Sequence, residues 1–271
     1  LKKQIRLAIE SGGGRLRRLF EDTELMSDTA PLITQCPILH RDRFIVLVNK
    51  PAGVLSHPNS ARIDPKNRAA FEGRYDVDRK CFDGPAGKVW LIHRLDQDTS
   101  GVLLAALDEQ TAEKCRALFE ADAVRKHYLA LVRGTLPPKD IWLDHLTTTR
   151  VAGRVRTTAL KGRPPNAELR YAVKGHHAGQ RLTLMDIELI TGRTHQIRVQ
   201  ASSRQHPLAG DDVYGDFDMN RRLRQQLGIK RLCLHARQLE FKHPASGNRL
   251  CIEAPLPEDL AGVLEALEMR L

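Results

Sequence analysis

Apolar and polar positions divide the chain into short, uneven segments. Phe44-Ile45-Val46-Leu47-Val48-Asn49-Lys50 is a β-branched apolar run closed by Pro51-Ala52-Gly53. A run of this kind predicts a strand buried on both faces and ended by turn chemistry. Val89 to Ile92 and Val102 to Leu107 read as two more strands, and the polar stretch His93 to Gly101 lies between them. Asp108 to Phe119 carries Ala112, Cys115, Leu118 and Phe119 at helical spacing, with acids in its first turn, and predicts a helix. His127 to Val132 alternates like a strand, and Leu182 to Ile190 and Leu232 to Phe241 read the same way. Thr194 is placed to cap a helix running to about Ser203, and Pro257 opens a last helix, Glu258 to Met269.

Three stretches lack a clear period. The first 35 residues are broken by Gly12-Gly13-Gly14 and followed by Arg15, Arg17 and Arg18, which reads as a basic arm. Residues 59–88 are polar and rich in glycine, proline and charge, and predict a long loop or a short helix. Thr147 to Pro165 predicts an irregular basic loop holding Arg150, Arg154, Arg156, Lys161 and Arg163. Strands dominate, helices intervene irregularly, and no glycine-rich nucleotide loop is present. That combination argues for an α+β fold on a mixed, mostly antiparallel sheet. Residues 1–38 are the arm, and residues 39–271 form one domain of a size able to bury its own core.

Charge changes the picture more than size does. Lys and Arg number 43 against 33 Asp and Glu, a net charge of +10. An excess of this kind suggests a polyanionic partner, with nucleic acid first. The basic loop at 147–165 then becomes a phosphate-contacting candidate, and Arg221, Arg222, Arg224, Lys230 and Arg231 form a second basic patch. The 5 cysteines are scattered and never spaced as a disulfide framework or zinc site. No apolar run approaches a membrane span, and the first residues lack the apolar core of a signal peptide. The expected location is the cytoplasm.

The candidate chemistry lies in His93-Arg94-Leu95-Asp96 through Thr99-Ser100-Gly101, where one carboxylate sits on a loop beside an arginine. Three other segments accompany it: Val48-Asn49-Lys50-Pro51-Ala52-Gly53, Thr191-Gly192-Arg193-Thr194-His195-Gln196-Ile197-Arg198-Val199, and His206-Pro207-Leu208-Ala209-Gly210-Asp211 with Tyr214-Gly215. Leu232-Cys233-Leu234-His235-Ala236 leading to Phe241-Lys242-His243-Pro244 is a fifth. Together they resemble the RluA-type pseudouridine synthases, over most of the chain and in that family's order. The resemblance implies a mixed sheet in two halves with flanking helices and a central RNA-binding cleft. It implies that residues 39–271 are the catalytic domain and that Asp96 is the catalytic aspartate. It also implies that Tyr128, in the pattern beginning at Lys126, packs on the target base, that Arg198 pairs with the aspartate, and that Arg94 lies against the RNA. Ribosomal RNA, ahead of transfer RNA, is the expected partner. No cofactor, no metal and no obligate protein partner are expected, and the expected state is a monomer. Residues 1–38 are too short for the small N-terminal RNA-binding domain of many members, and Gln200 stands where many have histidine.

These residue types suit the reaction. Isomerising uridine breaks the bond from ribose to the base nitrogen, turns the uracil and rejoins it through carbon, with no net redox change or hydrolysis. An ionised aspartate can act as nucleophile or as base, and both routes stay open. An arginine can pair with it, a tyrosine ring can stack on the base, and a paired uridine must first be flipped out. His93, His195 and His235 read as scaffold or RNA contacts, and Lys50, Pro51 and Asp211 as strand-end or turn residues. Two other readings compete: a noncatalytic RNA-binding module, and a magnesium-dependent phosphatase using Asp96 and Asp98.

Overall fold

The computed structural model describes residues 33–58, 68–151 and 154–270. Most of the expected arm, residues 1–32, lies outside the described residues. From residue 33 onward the chain is one compact unit. Its strands and helices follow in the order β1 (Ile38–Arg41), β2 (Ile45–Lys50), β3 (Arg74–Asp76), β4 (Cys81–Gly84), β5 (Gly87–Leu91), β6 (Ser100–Ala106), α1 (Glu109–Glu120), β7 (Arg125–Arg133), β8 (Lys139–Val151), β9 (Arg154–Leu160), β10 (Ala167–His177), β11 (Leu182–Leu189), α2 (Gln196–Ser203), α3 (Phe217–Leu227), β12 (Leu234–Lys242), β13 (Arg249–Glu253) and α4 (Glu258–Ala266).

These strands form a 13-stranded sheet with the order β3-β4-β5-β6-β12-β7-β11-β10-β8-β9, to which β1, β2 and β13 attach at the side. The α+β class and the mixed, mostly antiparallel sheet read from the sequence are therefore those of the structure. Among the described strands, only β6 and β12 pair in parallel, through His235 with Ser100 and Ala236 with Gly101. This short parallel contact is the seam between the two halves of the sheet. Gly101 adopts a φ of +120°, and a Cβ there would meet the Ala236 carbonyl oxygen at 2.1 Å. Only glycine lets the two strands approach this closely.

The continuous apolar runs mark strands covered on both faces. In β2, Val46 and Val48 face the main core, while Ile45 and Leu47 face a second core beneath α1. The neighbouring β6 repeats the arrangement, with Leu103 and Ala105 on one side and Val102 and Leu104 on the other. A third core gathers Leu182, Leu184, Leu223, Leu260 and Val263 under α3 and α4. Helix α1 starts where expected, because the Asp108 side chain accepts the Thr111 amide at its N-terminus.

Three local expectations are corrected. Residues 59–88 are not simply loop or helix: Arg74–Asp76 and Cys81–Gly84 pair as strands that extend the sheet beyond β5, and residues 59–67 lie outside the described residues. The basic segment Thr147 to Pro165 is not an irregular loop. It belongs largely to the β8–β9 hairpin, in register from His145 with Leu160 to Val151 with Arg154. Its threonines supply β-branched positions, and the Thr148 and Thr157 hydroxyls meet across the pair at 3.0 Å. Finally, Thr194 does not cap α2, whose N-cap position is taken by His195 in a left-handed conformation, φ 54°.

Candidate active site

A cavity of about 260 Å³ opens where the seam, β7 and the start of α2 converge, and Arg94, Asp96, Tyr128, His195 and Arg198 line it. Asp96 arrives on the loop entering β6. That loop is clamped from behind by the Lys50–Ser56 segment. The fully buried Lys50 ammonium donates to the carbonyls of Pro51, Val54 and Gln97 at 3.0, 2.7 and 2.9 Å. Burial lowers the Lys50 pKa to about 8, with nearby acids opposing the shift. The Ser56 hydroxyl donates to the Leu95 carbonyl at 2.8 Å and accepts the Leu95 amide at 2.9 Å. One residue before the carboxylate, the backbone is therefore pinned in both directions. On the far side Ser100 meets His235 Nδ1 at 2.9 Å and accepts from Arg231 at 3.1 Å. Burial pushes the His235 imidazole down to about 4, so it serves as a neutral scaffold group.

Arg198 is the partner of Asp96. It projects from α2 with 6% of its side chain exposed, and its Nη1 donates to Asp96 Oδ2 at 3.1 Å. The rest of the guanidinium is held by Asp211: Nε and Nη2 each donate to one carboxylate oxygen at 2.8 Å, a bidentate pair. Asp211 is itself 1% exposed and also accepts the amides of Val213 and Tyr214. Burial opposes its charge, yet the Arg198 bonds and these amides hold its carboxyl below the ordinary range. One guanidinium thus carries two carboxylates, a deeply buried one for support and a partly exposed one facing the cavity.

Tyr128 enters from the middle of β7, held between Ile187 of β11 and Ala236 of β12. It is 9% exposed, and burial with the nearby Asp96 charge raises its pKa, so its hydroxyl stays protonated. His195 brings its Nε2 to 3.8 Å from Asp96 Oδ1. Arg94 is exposed at the rim, with Nη2 at 3.4 Å from the Thr194 hydroxyl. Asp98 is exposed and does not line the cavity. The structure thus brings Asp96, Arg94, Tyr128 and Arg198 together. It leaves Arg150, Arg156, Lys161 and Arg163 exposed on or beside the β8–β9 hairpin, outside the cavity lining, with Arg154 beginning β9.

Two residues weigh more here than their sequence positions suggested. Asp211 read as a turn residue, and it does cap a turn, but the same carboxylate anchors Arg198. Gln200 is fully buried and ties α2 to β8 through the Trp142 carbonyl at 3.1 Å and the Asp144 carboxylate at 2.7 Å. Gln196, the first residue of α2, orders the turn that leads into the helix. Its Oε1 accepts the Arg193 amide at 3.0 Å and the Thr191 hydroxyl at 2.8 Å.

This combination of sheet, seam and carboxylate-lined cavity belongs to the pseudouridine-synthase fold. Human RNA Pseudouridylate Synthase Domain Containing 4 aligns with a TM-score of 0.64 and 24% identity over 86% of this chain and 94% of its own. Human RNA Pseudouridylate Synthase Domain Containing 1 gives a TM-score of 0.60 and 24% identity over 87% and 95%. The chain belongs to the RNA pseudouridylate synthase family and is of the RluA type: the family model matches residues 44–203. Ribosomal large subunit pseudouridine synthase C of Salmonella typhi is 35% identical over 86% of this chain and 70% of that protein. The protein of the same name from Yersinia pestis is 35% identical over 89% and 71%. The chain is accordingly an isomerase, and both the RNA reading and the family resemblance drawn from the five segments hold.

The Arg198–Asp211 pair yields a stability prediction. Removing one partner of a buried ion pair costs about 3–5 kcal/mol, because the other charge is left unpaired. Asp211→Asn leaves Arg198 its one bond to Asp96, so it should lower the urea-unfolding free energy by up to about this amount. Because folding depresses the Asp211 pKa, its contribution is present above the unfolded carboxyl value near 4 and is lost as pH falls through the folded one. The variant should therefore lose less stability than the parent between about pH 4 and pH 2. Equal acid slopes for the two proteins would show that the pair contributes nothing.

Proposed function

We propose that this chain isomerises uridine to pseudouridine in large-subunit ribosomal RNA, with Asp96 as the catalytic carboxylate. The observation that carries the reading is the Asp96 side chain, held by Arg198 at 3.1 Å and presented to a cavity that Tyr128 also lines. The ribosomal substrate is supported by the names of the relatives that span most of the chain. In the reaction the N1–C1′ bond of uridine breaks, the uracil turns, and a C5–C1′ bond forms. The C5 proton is lost to solvent and N1 gains one, so atoms and charge balance with no oxidant. Asp96 acts as nucleophile or base at the sugar or the ring. Arg198 holds it in orientation, and its bidentate anchor on Asp211 stops the guanidinium from following the substrate instead.

The cavity has room for a single extruded nucleotide rather than a duplex, so the target base leaves its stack before reaction. Tyr128 stacks on that base, and the rim residue Arg94 contacts the adjoining backbone. Arg150, Arg154, Arg156, Lys161 and Arg163 of the hairpin region bind phosphates farther along the RNA. The reading is of a monomer with no obligate protein partner, acting in the cytoplasm.

Two experiments test this. With in-vitro transcribed large-subunit rRNA carrying tritium at uracil C5, Asp96→Asn should release tritium at least on the order of a thousandfold more slowly than the parent. Its RNA affinity should stay within a few-fold. Release at the parental rate would overturn the catalytic assignment, and lost binding with unimpaired single-turnover rate would reduce Asp96 to an RNA contact. For the hairpin, Arg156→Glu with Arg163→Glu should raise KM and leave kcat at saturating RNA unchanged. Each lost phosphate contact should also reduce the slope of log affinity against log salt by about 0.7–0.9. An unchanged slope would remove the hairpin from the RNA interface.

A further inference from the structure

Asp96 has two neighbours in the cavity, and one turn holds both. Asp211 anchors Arg198 and also accepts the Tyr214 amide at 2.9 Å. The turn is closely packed: a Cβ on Gly215 would lie 1.9 Å from the Asp211 carbonyl oxygen. Tyr214 leaves this turn to fill the gap between α2 and the hairpin. Its ring packs against the cluster of Leu146, Ala167 and Val199, with the Arg198 guanidinium 5.1 Å from its centroid. Its hydroxyl oxygen lies 3.0 Å from the buried Thr157 amide of β9 and 2.8 Å from His195 Nδ1.

The direction of the first of these bonds follows from what each group can do. An amide N–H can only donate, so Thr157 occupies a lone pair of the Tyr214 oxygen. The hydroxyl keeps one proton to give, and His195 Nδ1 is the remaining acceptor on that oxygen among the described residues. Giving that proton to Nδ1 makes Nδ1 an acceptor and puts the imidazole hydrogen on Nε2. Nε2 is the atom that faces Asp96 Oδ1 at 3.8 Å. His195 holds this place with a left-handed backbone, φ 54°. Burial favours the neutral imidazole, as do the Arg198 and Arg94 charges, while Asp96 and Asp211 oppose them.

We propose that Thr157, Tyr214 and His195 form a fixed-direction hydrogen-bond relay in which Tyr214 sets the His195 tautomer, so that His195 is a second positioning residue for Asp96. The relay runs from the backbone of the β8–β9 hairpin to an imidazole whose Nε2 lies 3.8 Å from the reacting carboxylate, so the hairpin also braces this side of the site. Neutral His195 directs an N–H at Oδ1 while Arg198 holds Oδ2, and the carboxylate keeps its charge for chemistry. Protonated His195 would instead compete with the substrate for Asp96. The part that concerns catalysis rests on the pseudouridine reading above, whereas the tautomer does not.

Two measurements on Tyr214→Phe, which retains the ring, separate these. In the first, ¹⁵N-detected histidine NMR, assigned by the signal lost in His195→Gln, should show the Nε2–H tautomer in the parent. In Tyr214→Phe the loss of the donor to Nδ1 destabilises the neutral ring, so the His195 pKa should rise. An Nδ1–H tautomer in the parent, or an unchanged titration in the variant, overturns the relay whatever the enzyme does. In the second, the tritium-release assay on the same rRNA transcript should show kcat reduced about tenfold for Tyr214→Phe with KM unchanged. The acid limb of the kcat profile should move to higher pH. His195→Gln, which offers an N–H that does not titrate, should be slowed without that shift. An acid limb that stays in place in Tyr214→Phe overturns the positioning role. Failure of the parent to release tritium would instead count against the pseudouridine reading and leave the NMR result standing.

Discussion

One buried guanidinium sets the terms for the rest of the site. Removing Arg198 from water is costly, and only close, well-directed anionic partners repay it. Asp211 does so from inside the protein with two parallel bonds, and Asp96 does so from the cavity side with one. The unequal division matters. Two bonds to a buried carboxylate that two amides also support fix where the arginine sits, and the third bond then fixes the orientation of the carboxylate that faces the cavity. A surface pair of the same residues would be loose and screened.

The fold exists around this contact as a set of constraints from separate parts of the chain. The Asp96 loop is held by Lys50 and Ser56 from one segment and by the β6–β12 seam from another. Arg198 is fixed by α2, and α2 by Gln200 against β8 and Gln196 against its own entry turn. Tyr128 is fixed by the centre of the sheet. No single element contains the site, yet each contributes a side chain from a rigid position, which suits chemistry that depends on placement.

The degree to which this was legible in the sequence follows from how local each determinant is. Strands β2 and β6 were legible because both of their faces are buried and their apolar runs are continuous. Helix α1 was legible from its period and the acids of its first turn. The β8–β9 hairpin was not, because its arginines drew the reading away from the β-branched threonine runs, Thr147 to Thr149 and Thr157-Thr158, that flank them. The cap expected from Thr194 does not form because the N-cap position of α2 falls on His195, whose left-handed backbone makes the entry turn, while the Thr194 hydroxyl faces Arg94. Asp96, Tyr128, Arg198 and Arg94 came from motif resemblance, and the structure gathers all four at one cavity. The support from Asp211 could not be read from spacing, since a carboxylate that caps its own turn looks the same whether or not an arginine lies above it.

The central claim is that Arg198 must hold two carboxylates at once for uridine to be isomerised. Nucleotide-resolution mapping of pseudouridine in total RNA tests it most directly, in cells without the gene and in cells complemented with the parent or with Arg198→Lys. A lysine keeps the charge but cannot form the bidentate pair and a third bond together. Pseudouridine should disappear from one or a few large-subunit rRNA positions without the gene, return with the parent, and stay absent with Arg198→Lys. Full restoration by the lysine variant, or an RNA map indifferent to the gene, would contradict the account.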